Sequence, residues 1–346
     1  ETVQVVAGDV ELPWRTVDLS SLDEAAAAAE VERLLAEDQS RRFDVTAPPL
    51  LRLSLIRLGA DRHRLVLTSH HLVLDGWSTP LVVGEVSIAY AGEEIPSSAP
   101  SYKDYLAWLG EQDEDAARAA WRAELAGADE PSLVDAEADK TLVMPGDHAE
   151  WVAEETTRAL AELARGNGLT TSTILQAAWA LVLARLAGRT DVVFGSVVSG
   201  RPAEVPDVER MVGMFINTVP VRVRLDGARP VLELFQDLQA RQAALTEHQY
   251  LGLPEIQKAA GTGAVFDTIV MIENYPHTAD GLGDDGGVAI SSVTTRTGTG
   301  YPLTMNVSLG DRLRINVAYR PDRIDGATAA EVARQLVRVL DQVVAR

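Results

Sequence analysis

The sequence contains no cysteine, so it can form neither a disulfide framework nor a thiol nucleophile. It also lacks an excess of positive charge, because 31 Lys and Arg stand against 51 Asp and Glu, a formal charge of −20. That balance disfavours nucleic acid and anionic membranes as partners. No apolar run reaches the roughly 18 residues that span a bilayer, and no signal peptide is visible. We therefore expect a cytoplasmic protein without a nucleic-acid or membrane partner, and no metal site is predicted.

The length of 346 residues is ample for two packed lobes, since single cores stop growing near about 250–300 residues. An acidic, alanine-rich stretch that ends near Lys140 contains the Gly and Pro steps typical of a linker. We therefore place an N-terminal lobe at residues 1–140 and a C-terminal lobe at residues 141–346. Residues 1–6 predict a strand already under way, so the first lobe is expected to lack its start.

Residues 69–78 join a predicted strand to a predicted helix. The strand covers residues 64–68 and is expected to pair in a hairpin with residues 51–58. The helix is predicted to begin with Ser78 as its N-cap and a proline in its first turn.

Two histidines, an aspartate and a glycine fall within seven residues of this segment: His70, His71, Asp75 and Gly76. Side chains alternate along a strand, so the two rings should point to opposite faces, one packed and the other toward a cleft. Histidine exchanges a proton near neutral pH, with an unperturbed pKa of about 6.5. The aspartate can orient that ring or fix the turn through an arginine. The glycine permits unusual backbone angles and leaves room for a substrate atom.

A pair of packed core histidines is the alternative to a catalytic site here. The Asp-Gly-Trp-Ser tail favours the catalytic interpretation, because it adds a carboxylate, open space and the N–H groups of a helix start, which favour an oxyanion.

The second half of the chain has its own predicted core. Thr171 or Ser172 is expected to cap an apolar helix that ends at Gly188. Residues 191–198 predict a buried strand. A hairpin is expected around Gly310-Asp311, followed by a closing amphipathic helix from Ala327 to about Val344.

The segment His70-His71-Leu72-Val73-Leu74-Asp75-Gly76 resembles the His-His-x-x-x-Asp-Gly signature of condensation domains of nonribosomal peptide synthetases. Further stretches resemble motifs of the same family, in family order and over essentially the whole chain. They are Tyr102-Lys103-Asp104-Tyr105 with Trp108, Ser199-Gly200-Arg201-Pro202, Gly213-Met214-Phe215-Ile216-Asn217-Thr218, His248-Gln249-Tyr250 with Pro254-Glu255, and Phe266-Asp267-Thr268 with Glu273-Asn274-Tyr275-Pro276.

The motifs separate this chain from other members of the chloramphenicol-acetyltransferase-like superfamily. Epimerization domains favour Val-Asp-x-Val-Ser-Trp, and heterocyclization domains replace both histidines by aspartates.

The family's two opening motifs are not found, and residue 1 falls just after the second. An arginine that pairs with the motif aspartate in relatives is thus missing from the sequence. Arg201 is a candidate replacement as the partner of Asp75, although a surface arginine after glycine is the commoner arrangement.

The resemblance implies an α/β, two-lobe, V-shaped chloramphenicol-acetyltransferase-like fold, with mixed sheets covered by helices. It implies an acyltransferase that joins a donor acyl or peptidyl thioester to an acceptor aminoacyl thioester in nonribosomal peptide and antibiotic biosynthesis. The implied partners are upstream and downstream peptidyl carrier domains and an adjacent adenylation domain in a larger multidomain chain. No cofactor is expected to be bound to this domain itself, since the carriers supply the phosphopantetheine.

The resemblance also implies the site residues, with His71 meeting the amine and Asp75 structural. Catalytic positions are expected at His70, His71, Asp75 and Gly76, and substrate-binding or structural positions at Trp77, Ser78, Arg201 and Asn217. The competing hypothesis is a non-catalytic module that keeps the fold and recruits carrier proteins or tailoring enzymes. A glycine-rich loop, residues 278–300, is expected either to bridge the lobes or to be a solvated turn.

Overall fold

The structure is a computed structural model that describes residues 3–95, 99–128, 130–137, 143–260, 266–273, 288–298 and 300–345. The chain divides into two compact units. The first consists of Glu1–Tyr102 and Glu209–Met214, and the second of Lys103–Val208 and Phe215–Arg346. This division differs from the lobe boundary expected at residues 140 and 141, which stays a prediction.

The first unit is built on a small mixed sheet. Its elements are strands β1 (Trp14–Asp18), β2 (Leu51–Arg57) and β3 (His63–Ser69) and helices α1 (Glu24–Ser40) and α2 (Ser78–Tyr90). Strand β1 pairs with β2 in parallel, and β2 and β3 form the predicted antiparallel hairpin. Helix α1 packs apolar residues such as Val31 and Leu34 against Ile56 of the sheet. The strand predicted at residues 1–6 is wrong for its described part, because residues 3–6 have no regular structure.

The second unit contains a six-stranded mixed sheet in the order β4-β9-β8-β7-β5-β6. Its strands are β4 (Gly146–Trp151), β5 (Asp191–Val198), β6 (Asn217–Arg224), β7 (Thr268–Glu273), β8 (Leu303–Ser308) and β9 (Arg314–Tyr319). Its helices are α3 (Tyr102–Gly110, which begins at the last residue of the first unit's main segment), α4 (Glu114–Glu124), α5 (Glu154–Gly166), α6 (Thr171–Ala187), α7 (Val231–Leu245), α8 (Leu253–Ala260) and α9 (Gly326–Val344). Helices α5, α6 and α9 share one large apolar core with this sheet.

Several predicted elements of the second unit are confirmed. The strand at residues 191–198, the hairpin around Gly310 and the closing helix all form. Helix α6 ends at the left-handed Gly188, as predicted, but its N-cap is Thr170, whose side chain accepts a hydrogen bond from the Thr173 N–H. The predicted cap at Thr171 or Ser172 was therefore late by one or two residues.

Among the described residues, no single helix is long and apolar enough to cross a membrane; by length and composition alone, the bent pair of α5 and α6 together could. No group of three or more His, Asp and Glu side chains there has an arrangement that could hold a metal ion.

Candidate functional site around the His-His-x-x-x-Asp-Gly segment

The two motif histidines lie in a turn at the end of β3. The strand ends at Ser69, although the His70 N–H still donates to the Leu50 carbonyl at 2.9 Å, and the Val73 N–H donates back to the His70 carbonyl at 3.1 Å. The predicted alternation along a strand is therefore not what separates the rings. They differ nonetheless, because His70 is half-buried and His71 is exposed.

The ring of His71 is held by one hydrogen bond that defines its tautomer. Its Nδ1 lies 3.0 Å from the Leu74 carbonyl oxygen. A carbonyl oxygen only accepts, so Nδ1 carries the hydrogen and the neutral ring keeps its lone pair on Nε2. An exposed imidazole with this tautomer can accept a proton or a hydrogen bond at Nε2.

His70 has the opposite arrangement. Its Nδ1 accepts the Leu72 N–H at 3.1 Å, so a neutral ring carries its hydrogen on Nε2 and has no second lone pair to offer. The Phe43 ring also packs against it in a T-shaped arrangement, with centroids 6.2 Å apart and planes at 80°. These contacts support a structural part for His70 and place the available base at His71.

Asp75 organises the start of helix α2. It is 1% exposed, and its Oδ1 accepts the Ser78 N–H at 2.7 Å. Its carbonyl accepts both the N–H of Thr79, at 3.2 Å, and the Thr79 hydroxyl, at 3.1 Å. The predicted N-cap at Ser78 is therefore wrong, since the Asp75 carboxylate satisfies the first N–H group of the helix and Ser78 is its first residue.

The hydroxyl of Ser78 is bound instead to residues 209–214, which belong to the same unit. Ser78 Oγ lies 2.9 Å from the Gly213 carbonyl and 3.0 Å from the Gly213 nitrogen, and the Asp75 N–H donates to the same carbonyl at 3.2 Å. Trp77 donates its indole N–H to the Glu209 carbonyl at 2.8 Å. Trp77 and Ser78 thus anchor the motif to a segment more than 130 positions away.

Gly213 is a site residue that sequence reasoning missed. A Cβ at this position would lie 2.4 Å from the Tyr102 ring, whose hydroxyl donates to the Met214 carbonyl at 2.6 Å. Only glycine fits there without displacing Tyr102. The available signal was its place at the start of the Gly-Met-Phe-Ile-Asn-Thr motif.

Gly76 was expected to use unusual backbone angles. Among the described residues, the glycines with positive φ are Gly92, Gly127, Gly168, Gly188 and Gly200. Gly76 is not one of them, so its expected conformational freedom is not used. Its other expected contribution, space for a substrate atom, stays a prediction.

An ion pair between buried Arg52 of β2 and half-buried Asp38 lies next to the end of β3. Arg52 binds Asp38 with Nε–Oδ1 at 2.6 Å, and the Thr68 hydroxyl donates to the same carboxylate at 2.6 Å. Burial acts to raise the pKa of Asp38, but the hydrogen bonds from Arg52 and Thr68 outweigh it, so the pKa lies below its ordinary value. The Arg52 guanidinium also lies 4.3 Å from the centroid of Phe43, the ring that packs against His70.

Arg201 lies in the second unit, after β5. Its guanidinium lies 3.9 Å from the Phe215 ring centroid and donates a hydrogen bond to the Val208 carbonyl. The preceding Gly200 has φ +61°, and a Cβ there would overlap the Phe215 carbonyl oxygen at 1.8 Å. The Ser-Gly-Arg-Pro and Met-Phe-Ile-Asn-Thr stretches therefore pack directly on each other. The predicted contact between Arg201 and Asp75, which belong to different units, stays a prediction.

Asn217 is engaged at both ends of its carboxamide. Its Nδ2 donates to the Gln249 and Leu251 carbonyls at 2.8 and 2.7 Å, and its Oδ1 accepts the Thr218 N–H at 2.8 Å. These bonds tie the start of β6 to the His-Gln-Tyr stretch, which supports a structural role.

Residues Asn274 to Pro276 lie outside the described residues, as do residues 278–287 and 299 of the loop expected to bridge the lobes; residues 288–298 have no regular structure.

Solved structures share this fold. The first condensation domain of the calcium-dependent antibiotic synthetase, in complex with a substrate analogue, matches with a TM-score of 0.76 at 20% identity, over 99% of this chain and 80% of that one. The X-domain from teicoplanin biosynthesis matches with a TM-score of 0.79 at 23% identity, over 97% and 79% of the two chains. The expected chloramphenicol-acetyltransferase-like fold of condensation domains is thereby confirmed.

The family model described as Condensation domain matches residues 1–346, and the chain belongs to that family. It is 36% identical to one of the subunits of linear gramicidin synthase from Brevibacillus parabrevis, over 99% of this chain and 7% of the relative. It is 35% identical to vanchrobactin synthetase VabF of Vibrio anguillarum, over 99% and 12%. The chain therefore spans only a small part of these long, multidomain relatives.

Proposed function

We propose that this domain forms an amide bond between a donor acyl or peptidyl thioester and the amine of an acceptor aminoacyl thioester. Both substrates are carried on the phosphopantetheine arms of carrier proteins, upstream for the donor and downstream for the acceptor. Membership of the Condensation domain family supports this reaction class, as do relatives that are synthetases. The proposal includes an adjacent adenylation domain in the same longer chain, which loads amino acids onto a carrier. It also places the reaction in the cytoplasm.

The observation that carries the proposal is the tautomer of His71. The Leu74 carbonyl holds the Nδ1 hydrogen and leaves the Nε2 lone pair of an exposed ring available. In the reaction, the acceptor amine attacks the thioester carbonyl, the new C–N bond forms and the C–S bond breaks. The amine loses one proton and the departing thiolate gains one, so a nitrogen that accepts a hydrogen bond from the amine orients the attack and can relay that proton.

Transfer between two loaded carrier proteins tests the role of His71. We expect His71→Ala to reduce the single-turnover rate by about 10²–10⁴-fold, the usual contribution of general acid–base catalysis. His63→Ala is the matched control, because His63 is an exposed histidine at the opposite end of β3. Full transfer by His71→Ala would contradict the proposal.

The same assay distinguishes the alternative of a recruitment module. If the wild-type domain binds loaded carriers but makes no amide product with any of several donor and acceptor pairs, the non-catalytic function replaces the catalytic one. The unbroken motif, with its base held in one tautomer and its aspartate capping a helix, favours catalysis.

A further inference from the structure

The loop of residues 209–214, which carries Gly213, is contacted at both ends by one side chain, Arg201. The loop belongs to the first unit, while its chain neighbours Val208 and Phe215 belong to the second unit, as Arg201 does. The Arg201 guanidinium donates to the Val208 carbonyl at one end, and its carbon lies 3.9 Å from the centroid of the Phe215 ring at the other. A fully extended chain from Val208 to Phe215 would span about 23 Å, so these two contacts close the base of the loop.

Both contacted ends are fixed by their surroundings. Phe215 is 2% exposed, and the ring of Tyr105 packs on it with centroids 4.6 Å apart. At the other end, successive turns lead up to the contact, because the Val205 N–H donates to the Pro202 carbonyl at 3.2 Å and the Val208 N–H donates to the Val205 carbonyl at 3.3 Å. Val205 and Val208 are buried as well. Neither end of the loop can therefore move without disturbing buried contacts.

The loop holds the motif turn through its backbone. The Gly213 carbonyl accepts the Asp75 N–H and the Ser78 hydroxyl, and the Glu209 carbonyl accepts the indole N–H of Trp77. Glu209 is the first residue of the loop, and Gly213 is the last but one. The groups that bind the turn therefore lie next to the two contacted ends.

One peptide unit connects the loop to the candidate base. A peptide unit is planar, and in its trans form the N–H and C=O groups point in opposite directions. The Asp75 N–H donates to the Gly213 carbonyl at 3.2 Å, and the Leu74 carbonyl of the same peptide unit accepts the hydrogen on His71 Nδ1 at 3.0 Å. The position of Gly213 therefore sets the direction of the carbonyl that determines the His71 tautomer.

We propose that Arg201 is a positioning residue for the transfer reaction. It holds both ends of the loop of residues 209–214, and the loop orients the peptide unit that holds the His71 ring. Arginine suits this role, because its flat guanidinium can stack on an aromatic ring while it donates a hydrogen bond in its own plane. The inference rests on the proposed function for the effect on transfer, but the effect on the His71 ring can be measured without any transfer reaction.

Single-turnover transfer by Arg201→Ala, measured well below its melting temperature, is the first test. We expect the rate to fall about 10- to 100-fold, as a displacement of about 1 Å can cause, with little change in the carrier concentration that gives half the maximal rate. Arg241→Ala is the matched control, because Arg241 is a half-buried arginine of the second unit that also donates to a backbone carbonyl, that of Arg222, at 2.9 Å. It should lower the melting temperature and keep the transfer rate.

Histidine-selective ¹⁵N NMR of the whole chain gives the measurement that a merely structural role would not change. The His71 signals, assigned by their loss in His71→Ala, should show the hydrogen on Nδ1 in the wild type. In Arg201→Ala they should shift toward a mixture of both tautomers, whereas Arg241→Ala should keep the wild-type signals. If Arg201→Ala does not fold, Arg201→Lys and Phe215→Leu should show the same shift, since each removes the stacking of a guanidinium on an aromatic ring.

A double-mutant cycle with Ser78→Ala tests whether the effect passes through the loop. Arg201→Ala should cost less in the Ser78→Ala background than in the wild type, because Ser78→Ala already removes bonds between the loop and the turn. An equal cost in both backgrounds, or wild-type His71 signals in the folded variants, overturns the proposal. A tautomer shift in a domain that makes no amide would retain the role of Arg201 and reject the proposed function. Amide formation that Arg201→Ala leaves unchanged would do the reverse.

Discussion

His70 and His71 are adjacent in the sequence but hold their hydrogens on different nitrogen atoms. Backbone groups decide this, because the Leu74 carbonyl requires a donor from His71 and the Leu72 N–H requires an acceptor from His70. Each ring therefore has one nitrogen engaged within the turn. Only His71 combines a free Nε2 lone pair with exposure, which is why we assign the proton-accepting role to it.

Asp75 and His71 should be separable by stability. Asp75 is buried and caps helix α2, and loss of such a cap costs about 0.5–2 kcal/mol, so Asp75→Ala should lower the melting temperature clearly. Asp75→Asn should lower it less, because the amide oxygen still accepts the Ser78 N–H. His71→Ala removes an exposed ring and should leave the melting temperature almost unchanged. Thermal unfolding followed by circular dichroism measures all three.

Both Asp75→Ala and His71→Ala should nevertheless reduce the transfer rate strongly, by at least the 10²-fold expected for His71→Ala, since one displaces the turn and the other removes the base. If the melting temperature of Asp75→Ala equals that of the wild type, the carboxylate does not stabilise helix α2 as the cap that the geometry indicates.

At the scale of elements, the start of α2 is held by the segment of residues 209–214. The backbone of Gly213 is hydrogen-bonded to Asp75 and Ser78, while its missing side chain leaves room for the Tyr102 ring. The helix, the motif turn and this distant segment therefore form one packed unit. A substitution at Gly213 should therefore shift the position of His71, although the two residues are not in direct contact.

We expect Gly213→Ala to destabilise the protein by about 1–3 kcal/mol, the usual cost of overpacking, and to reduce transfer. Gly84→Ala is the matched control on α2, because a Cβ there meets no atom within 4 Å and the helix gains about 1 kcal/mol of propensity. Chemical denaturation measures both. If Gly213→Ala is as stable as the wild type, the Tyr102 ring can move aside without a loss of stability, which would contradict this prediction.

At the scale of the whole molecule, each unit contains a carboxylate that is largely shielded from solvent, half-buried Asp38 in the first and buried Asp267 in the second, and their pKa values shift in opposite directions. In the first unit, the hydrogen bonds from Arg52 and Thr68 hold the pKa of Asp38 down against the effect of burial. In the second unit, burial raises the pKa of Asp267, although the N–H groups of Asp135 and Val134 act to lower it. These two N–H groups lie 2.8 and 2.9 Å from its oxygens.

The two carboxylates should therefore change stability with pH in opposite directions. The contribution of Asp38 is complete above its unfolded pKa of about 3.9 and is lost as the pH falls through its lower folded pKa. Asp267 binds its proton more readily in the folded state, so its contribution to stability grows as the pH falls through its raised folded pKa.

Amide hydrogen exchange of β3 and β7 between pH 7 and pH 3 reports on the two units separately. Asp38→Asn should reduce protection of β3 most at pH 7, and the difference from wild type should shrink in acid. Asp267→Asn should show a deficit at β7 that grows in acid. A deficit at β3 that grew as the pH fell would contradict the sign assigned to Asp38.

Much of the fold followed from local patterns. Apolar periodicity and turn residues located β5 at residues 191–198, the β8–β9 hairpin and α9, because these signals depend only on neighbours in the chain. Local reasoning failed where distant groups competed for a side chain. Ser78 looks like a helix cap by sequence, but Gly213 occupies its hydroxyl and Asp75 supplies the cap.

The sequence by itself determined the family, the order of motifs and the identity of the candidate base, because these reside in residue types and spacing. The tertiary structure decided which nitrogen of His71 carries its hydrogen, that Asp75 caps α2, and that Gly213 and Tyr102 support the site. Each of these depends on hydrogen bonds or packing that the folded backbone creates, several of them between residues more than 130 positions apart.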